Sequence, residues 1–63
     1  MDNEQIKSMD PFILLSIINM KLRDFYNNLD ALCEDIDISK DVLIDRLLSV
    51  GYTYHQETNQ FIR

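Results

Sequence analysis

The devices that hold very small domains together are scarce in this chain. Its 63 residues include one cysteine, one proline, one glycine and no tryptophan. The lone Cys33 can close no intramolecular disulfide and cannot build a cysteine-based zinc site. Small secreted domains lean on such staples, so a reducing cytoplasm is the expected compartment. The scarcity of glycine and proline, with 46% hydrophobic residues, excludes a disordered or low-complexity class. Long apolar runs are missing too. The stretch Phe12–Ile18 falls far short of the ~20 residues of a membrane span, and Lys21, Arg23 and Asp24 close it off. The start, MDNEQIKSMD, is acidic where an export signal needs a basic region, so no signal peptide is expected.

Catalytic constellations are equally absent. His55 is the only histidine, no Ser/His/Asp or Cys/His set stands at defined spacing, and no glycine-rich loop could cradle a phosphate. The carboxylates Asp30, Glu34, Asp35 and Asp37 lack the spacing and glycine turn of a calcium loop and read as a solvated acidic face. No enzyme, catalytic residue, metal site or cofactor is expected, and no small-molecule ligand is evident.

What is present is a sequence of helix signals followed by a hairpin. Residues 1–8 are short and polar and read as a flexible N-terminal tail, leaving 9–63 as one domain. Asp10-Pro11 starts a helix: the carboxylate can accept from a free N–H of the first turn, and proline fits the first helical position because its missing N–H would be unpaired anyway. The apolar spacing of Leu14, Ile17, Ile18, Leu22 and Phe25 carries that helix to about Tyr26 with a buried stripe. Phe12, Ile13 and Leu15 extend apolar character almost around its first two turns. Asn28 supplies the cap for a second helix ending near Ile36, with Leu29, Leu32, Cys33 and Ile36 on its apolar face. Asp37-Ile38-Ser39 forms the turn, with Ile38 facing the core and Ser39 capping a third helix that runs from about Lys40 to Val50. Gly51 ends it by taking the left-handed conformation. Tyr52–His55 and Gln60–Ile62 bracket the polar QETN and read as a two-stranded hairpin. The fold class expected is mainly α: a three-helix, helix-turn-helix-like domain with a C-terminal two-stranded β-hairpin, winged-helix-like in order.

Shape and charge then point in different directions. A helix-turn-helix presents its second helix to the DNA major groove, and the basic residues available for nucleic-acid contact here are Lys40, Arg46, His55 and Arg63. The net charge is −5, however. Most of the excess lies on residues 28–50, where Asp30, Glu34, Asp35, Asp37, Asp41 and Asp45 face only Lys40 and Arg46. DNA affinity rests on Lys and Arg neutralising phosphates, and this surface opposes it. Surplus apolar side chains offer another role. Phe12, Ile13, Leu15, Ile44 and Leu48 form the candidate interface for a protein partner or a second copy of the chain, unless the first helix crosses the third and buries them within the monomer.

The stretch MDPFILLSIINMKLRDFY (residues 9–26), with NLDALCEDIDIS and the terminal GYTYHQETNQF, resembles a family of small bacterial proteins of about this length, a domain of unknown function found mainly in anaerobic bacteria. The resemblance covers residues 9–62 and implies a free-standing bacterial protein; it carries no activity, ligand or site residue. In the second half, Ile38-Ser39, Leu43, Leu47, Gly51-Tyr52, Tyr54 and Asn59-Gln60-Phe61 resemble winged helix-turn-helix modules of plasmid-maintenance and replication proteins. Those modules imply a basic and polar recognition helix, where this chain has Asp41, Ile44, Asp45 and Leu48. The leading expectation is a cytoplasmic protein-interaction or self-association module, and the alternative is a DNA-binding regulator acting as a dimer.

Overall fold

The computed structural model describes all residues from Met1 to Arg63. Four helices precede a two-stranded antiparallel sheet: α1 (Asn3–Ser8), α2 (Pro11–Asp24), α3 (Leu29–Asp35), α4 (Lys40–Leu48), β1 (Thr53–His55) and β2 (Gln60–Ile62). The extra helix is α1, in the segment expected to be a flexible tail. Its six residues are too few to hold a helix in isolation. Tertiary contacts supply what local propensity does not. Ile6 is fully buried, and the Asn3 side chain accepts a hydrogen bond from the Ser39 backbone N–H at 2.8 Å. Arg46 reaches back from α4 to donate to the Met9 carbonyl at 2.8 Å. A capping box closes the start: Gln5 N–H donates to the Asp2 carboxylate at 2.8 Å, and Asp2 N–H donates to the Gln5 side chain at 3.1 Å.

The other helix ends follow their local signals. Asp10 accepts from Phe12 N–H at 2.8 Å with Pro11 at the first position of α2, and Asn28 accepts from Ala31 N–H at 2.7 Å at the start of α3. Ser39 accepts from Val42 N–H at 3.3 Å to begin α4. After α3, Asp37 takes a left-handed φ of 57° and Ile38 N–H returns to the Cys33 carbonyl, which drops Ile38 into the core. After α4, Gly51 has φ 86° and Tyr52 N–H bonds the Leu47 carbonyl, so a Cβ here would be strained by the backbone alone. The chain leaves α2 at Asp24, two residues before the expected end: Phe25 and Tyr26 N–H groups both turn onto the Lys21 carbonyl.

Two asparagines fasten the hairpin to α2. Strands β1 and β2 pair in the register Thr53↔Ile62, Tyr54↔Phe61 and His55↔Gln60. On the outer edge of β2, the Asn19 amide donates to the Phe61 carbonyl at 3.0 Å and its oxygen accepts from Phe61 N–H at 2.8 Å. One side chain thus occupies the edge positions that a third strand would take. Asn59, at φ 54° in the turn, donates to the Leu22 and Tyr26 carbonyls at 3.0 and 2.9 Å and accepts from the Tyr54 hydroxyl at 2.6 Å. The Leu22 carbonyl needs that donor because Tyr26 N–H has gone to Lys21 instead. Phe61 is buried beneath this arrangement with the Tyr54 ring 5.5 Å away.

The core draws on all four helices and β2: Ile6 from α1, Leu14, Ile18 and Leu22 from α2, Leu29, Leu32 and Cys33 from α3, Leu43 and Leu47 from α4, and Phe61. No polar side chain is buried with them. No helix is long and apolar enough to cross a membrane.

Candidate functional site

Most of the large exposed apolar side chains lie on α2 and at its exit: Phe12, Ile13, Met20 and Phe25. Leu14, Ile18 and Leu22 recur every fourth residue and take the inner face, while Asn19 turns to the hairpin. Phe12 leans toward the same end of the molecule, its ring 6.4 Å from that of Tyr52 in an edge-to-face arrangement. On the other flank, Ile13, Ile17 and Met20 follow at helical spacing and form a continuous stripe. Ile13 is 56% exposed and Phe12, beside it on the first turn, 53%. Met20 is exposed as well, Ile17 half-buried. Phe25 stands past the end of α2 at 70% exposure. It was expected in the buried stripe; the early end of α2 turns the backbone out of helical register and leaves the ring in solvent.

The five candidate interface residues do not share one fate. Phe12, Ile13 and Leu48 are exposed, whereas Leu15 and Ile44 are half-buried against the core. Leu15 and Ile44 are therefore mostly consumed in holding the domain together, and Ile13 joins Ile17 and Met20. Those last two are the members that sequence reasoning missed. Their positions four and seven residues after Ile13 were visible, but spacing alone could not tell which of two apolar flanks of α2 the domain would cover.

The basic residues are mostly engaged inside the molecule. Lys40 pairs with Asp30 at 2.8 Å, and that hydrogen bond raises the lysine pKa above its ordinary value. Arg46 is directed under α1 to the Met9 carbonyl, and its Nε is buried without a partner. Arg63 stacks 5.5 Å from the centre of the Tyr52 ring. His55 shares a hydrogen bond with the Thr53 hydroxyl at 3.2 Å. Arg23 pairs with its neighbour Asp24 at 2.9 Å, which raises the guanidinium pKa and lowers that of the carboxyl. Lys7 and Lys21 are left without an ion pair. On α4, the exposed side chains are Lys40, Asp41, Asp45 and Leu48.

Remaining features are modest. A cleft of about 330 Å³ lies between α1 and α4, lined by Lys7, Val42, Asp45, Arg46 and Ser49. No three His, Cys, Asp or Glu side chains converge at metal-binding distance. Cys33 is buried, and desolvation raises its thiol pKa, which favours the neutral and unreactive form.

The chain belongs to the family described as a domain of unknown function (DUF4250), whose family profile matches residues 8–61. No curated protein and no solved structure matches it.

Proposed function

We propose that this DUF4250 member is a protein-interaction module whose docking surface is the outer side of α2. One observation carries the reading: the core closes over Leu14, Ile18 and Leu22 and leaves Ile13, Met20 and Phe25 in solvent on the same helix and its exit. Large apolar side chains held together at helical spacing on a small acidic surface are the usual mark of a contact surface. The test compares the wild-type chain with Ile13→Asp/Met20→Asp in sedimentation and in quantitative capture of proteins from the source cells. An interaction present for the wild type and lost for the variant, with both equally folded by circular dichroism, supports the reading. If both stay monomeric and retain the same proteins, it fails.

A second reading rests on the order of elements. α3, a tight turn, α4 and the hairpin follow one another as in a winged helix-turn-helix, with α4 as the recognition helix. On that reading the chain is a DNA-binding regulator acting as a dimer. Of its four candidate contacts, Lys40, Arg46 and Arg63 are already paired, bonded or stacked within the domain, and Asp41 and Asp45 stand on the exposed side of α4. These contacts weaken the case. Fluorescence anisotropy with duplex DNA at low salt, where electrostatic binding is strongest, tests it: absence of binding there rules it out.

A further inference from the structure

We propose that the cleft between α1 and α4 binds a free α-amino acid, with Lys7 and Arg46 taking its carboxylate and Asp45 its ammonium group. The site is separate from the outer side of α2 and does not depend on it.

The cations of this acidic chain are unevenly spent. Ion pairs hold Arg23 and Lys40, and Arg63 lies over the Tyr52 ring. Of the cations that remain, Lys7 and Arg46 line the same cleft. Arg46 is fixed there but not neutralised. Its Nη2 donates to the Met9 carbonyl at 2.8 Å, its Nε is buried without a partner, and no carboxylate lies within ion-pair distance. A half-buried guanidinium in this position has given up hydration without gaining a counter-ion. Nη1 makes no hydrogen bond and is not buried, so an anion in the cleft can reach the charge through it.

Helical spacing orders the rest of the lining. Val42, Asp45, Arg46 and Ser49 follow one another at steps of three, one and three and so share one side of α4. Val42 and Arg46 are half-buried and form the floor beside α1, whereas Asp45 and Ser49 are exposed and form the outer wall, across from Lys7. The Ser49 hydroxyl donates to the Arg46 carbonyl, which leaves its oxygen able to accept. The cleft therefore sets cations toward α1, acceptors on the outer wall and the apolar Val42 between them. A simple anion meets repulsion from Asp45. A molecule that carries a carboxylate and an ammonium group close together finds a complementary charge for each. The volume of about 330 Å³ lies at the low end of the roughly 300–1,000 Å³ of small-molecule sites, which suits an amino acid better than a nucleotide. Because the charged groups stay partly hydrated, binding is weak, with a dissociation constant on the order of a millimolar.

Amide NMR titration of the isotopically labelled full chain provides the test, with L-alanine, acetate and methylammonium as separate probes at constant ionic strength. Alanine is expected to give saturable shifts centred on Lys7, Val42, Arg46 and Ser49, at lower concentration than either single-charge probe. Lys7→Gln and Asp45→Asn, both at exposed positions and checked for folding by circular dichroism, should each weaken alanine binding by about two- to fivefold, the worth of one exposed charge pair. The probes separate the two roles: Lys7→Gln should weaken acetate as well, while Asp45→Asn should strengthen it by removing a repulsion. Acetate binding as tightly as alanine would overturn the amino-acid assignment, and so would alanine shifts spread evenly over the domain. Alanine affinity unchanged in both variants would overturn the site itself.

Discussion

Truncating Ile6 to alanine should come close to unfolding this protein, although residue 6 lies in a segment whose sequence reads as a polar tail. Ile6 has no solvent exposure. Replacing a fully buried isoleucine by alanine costs about 2–5 kcal/mol, from lost transfer free energy and from the cavity left behind. A chain of 63 residues has a total stability of only about 3–9 kcal/mol, so the loss is a large share of the whole. The cavity would lie where α1 packs on α4, at the edge of the domain, and partial collapse of α1 favours the lower half of the range. A loss of about 2–4 kcal/mol translates to a fall in melting temperature on the order of 10–30 °C for a domain of this size. Urea denaturation followed by circular dichroism gives the free energy directly, with the midpoint falling while the slope stays constant. Glu4→Ala, on the exposed side of α1, serves as the control and should change stability by no more than about 0.5 kcal/mol. An Ile6→Ala midpoint indistinguishable from that of Glu4→Ala would refute the assignment of α1 to the core.

Further outcomes follow from the side-chain contacts. Asn59→Asp replaces the amide that donates to the Leu22 and Tyr26 carbonyls with a carboxylate that can only accept; it should lower stability by about 2–4 kcal/mol in the same urea assay. Asn19→Ala frees both backbone groups of Phe61 on the β2 edge and should cost about 1–3 kcal/mol, with faster amide exchange at Phe61 measured by NMR. Cys33 should react with a thiol reagent such as Ellman's only as fast as the domain opens, and fully in denaturant, since burial both hides it and raises its pKa. The Tyr26 hydroxyl donates to Asp35, and this bond raises its pKa above the ordinary tyrosine value of about 10. Because the folded value is raised, the contribution of this contact is complete below the ordinary value and is lost as pH rises through the raised one. An NMR titration of the Tyr26 ring should show the upshift in the wild type and its reduction in Asp35→Asn.

The dividing line between what residue order determined and what packing decided follows the range of the interactions. Asp10-Pro11, Asn28 and Ser39 mark helix starts correctly because a cap bonds groups two or three residues away; α4 ends at Leu48, two residues short of the expected Val50, and Gly51 takes its left-handed conformation in the turn that follows. The hairpin was legible for the same reason. The placement of Ile38 in the core followed from the turn that delivers it. α1 was legible only at its start, where Asp2 and Gln5 stand at capping-box spacing: six residues cannot support a helix by propensity, and Ile6 acquires its role only from a site built 30 to 40 residues later by Asn3–Ser39 and Met9–Arg46 contacts. Nor could spacing show which flank of α2 stays exposed, since Leu15 and Ile13 are equally apolar and only the position of the hairpin and α4 separates them. The cations make the same point. Their number and sign were written in the sequence, but whether Lys40, Arg46 and Arg63 face solvent or an internal partner depends on residues 10 to 37 positions away. Local chemistry determined where the elements begin and end; long-range packing decided which of their faces remain available to a partner.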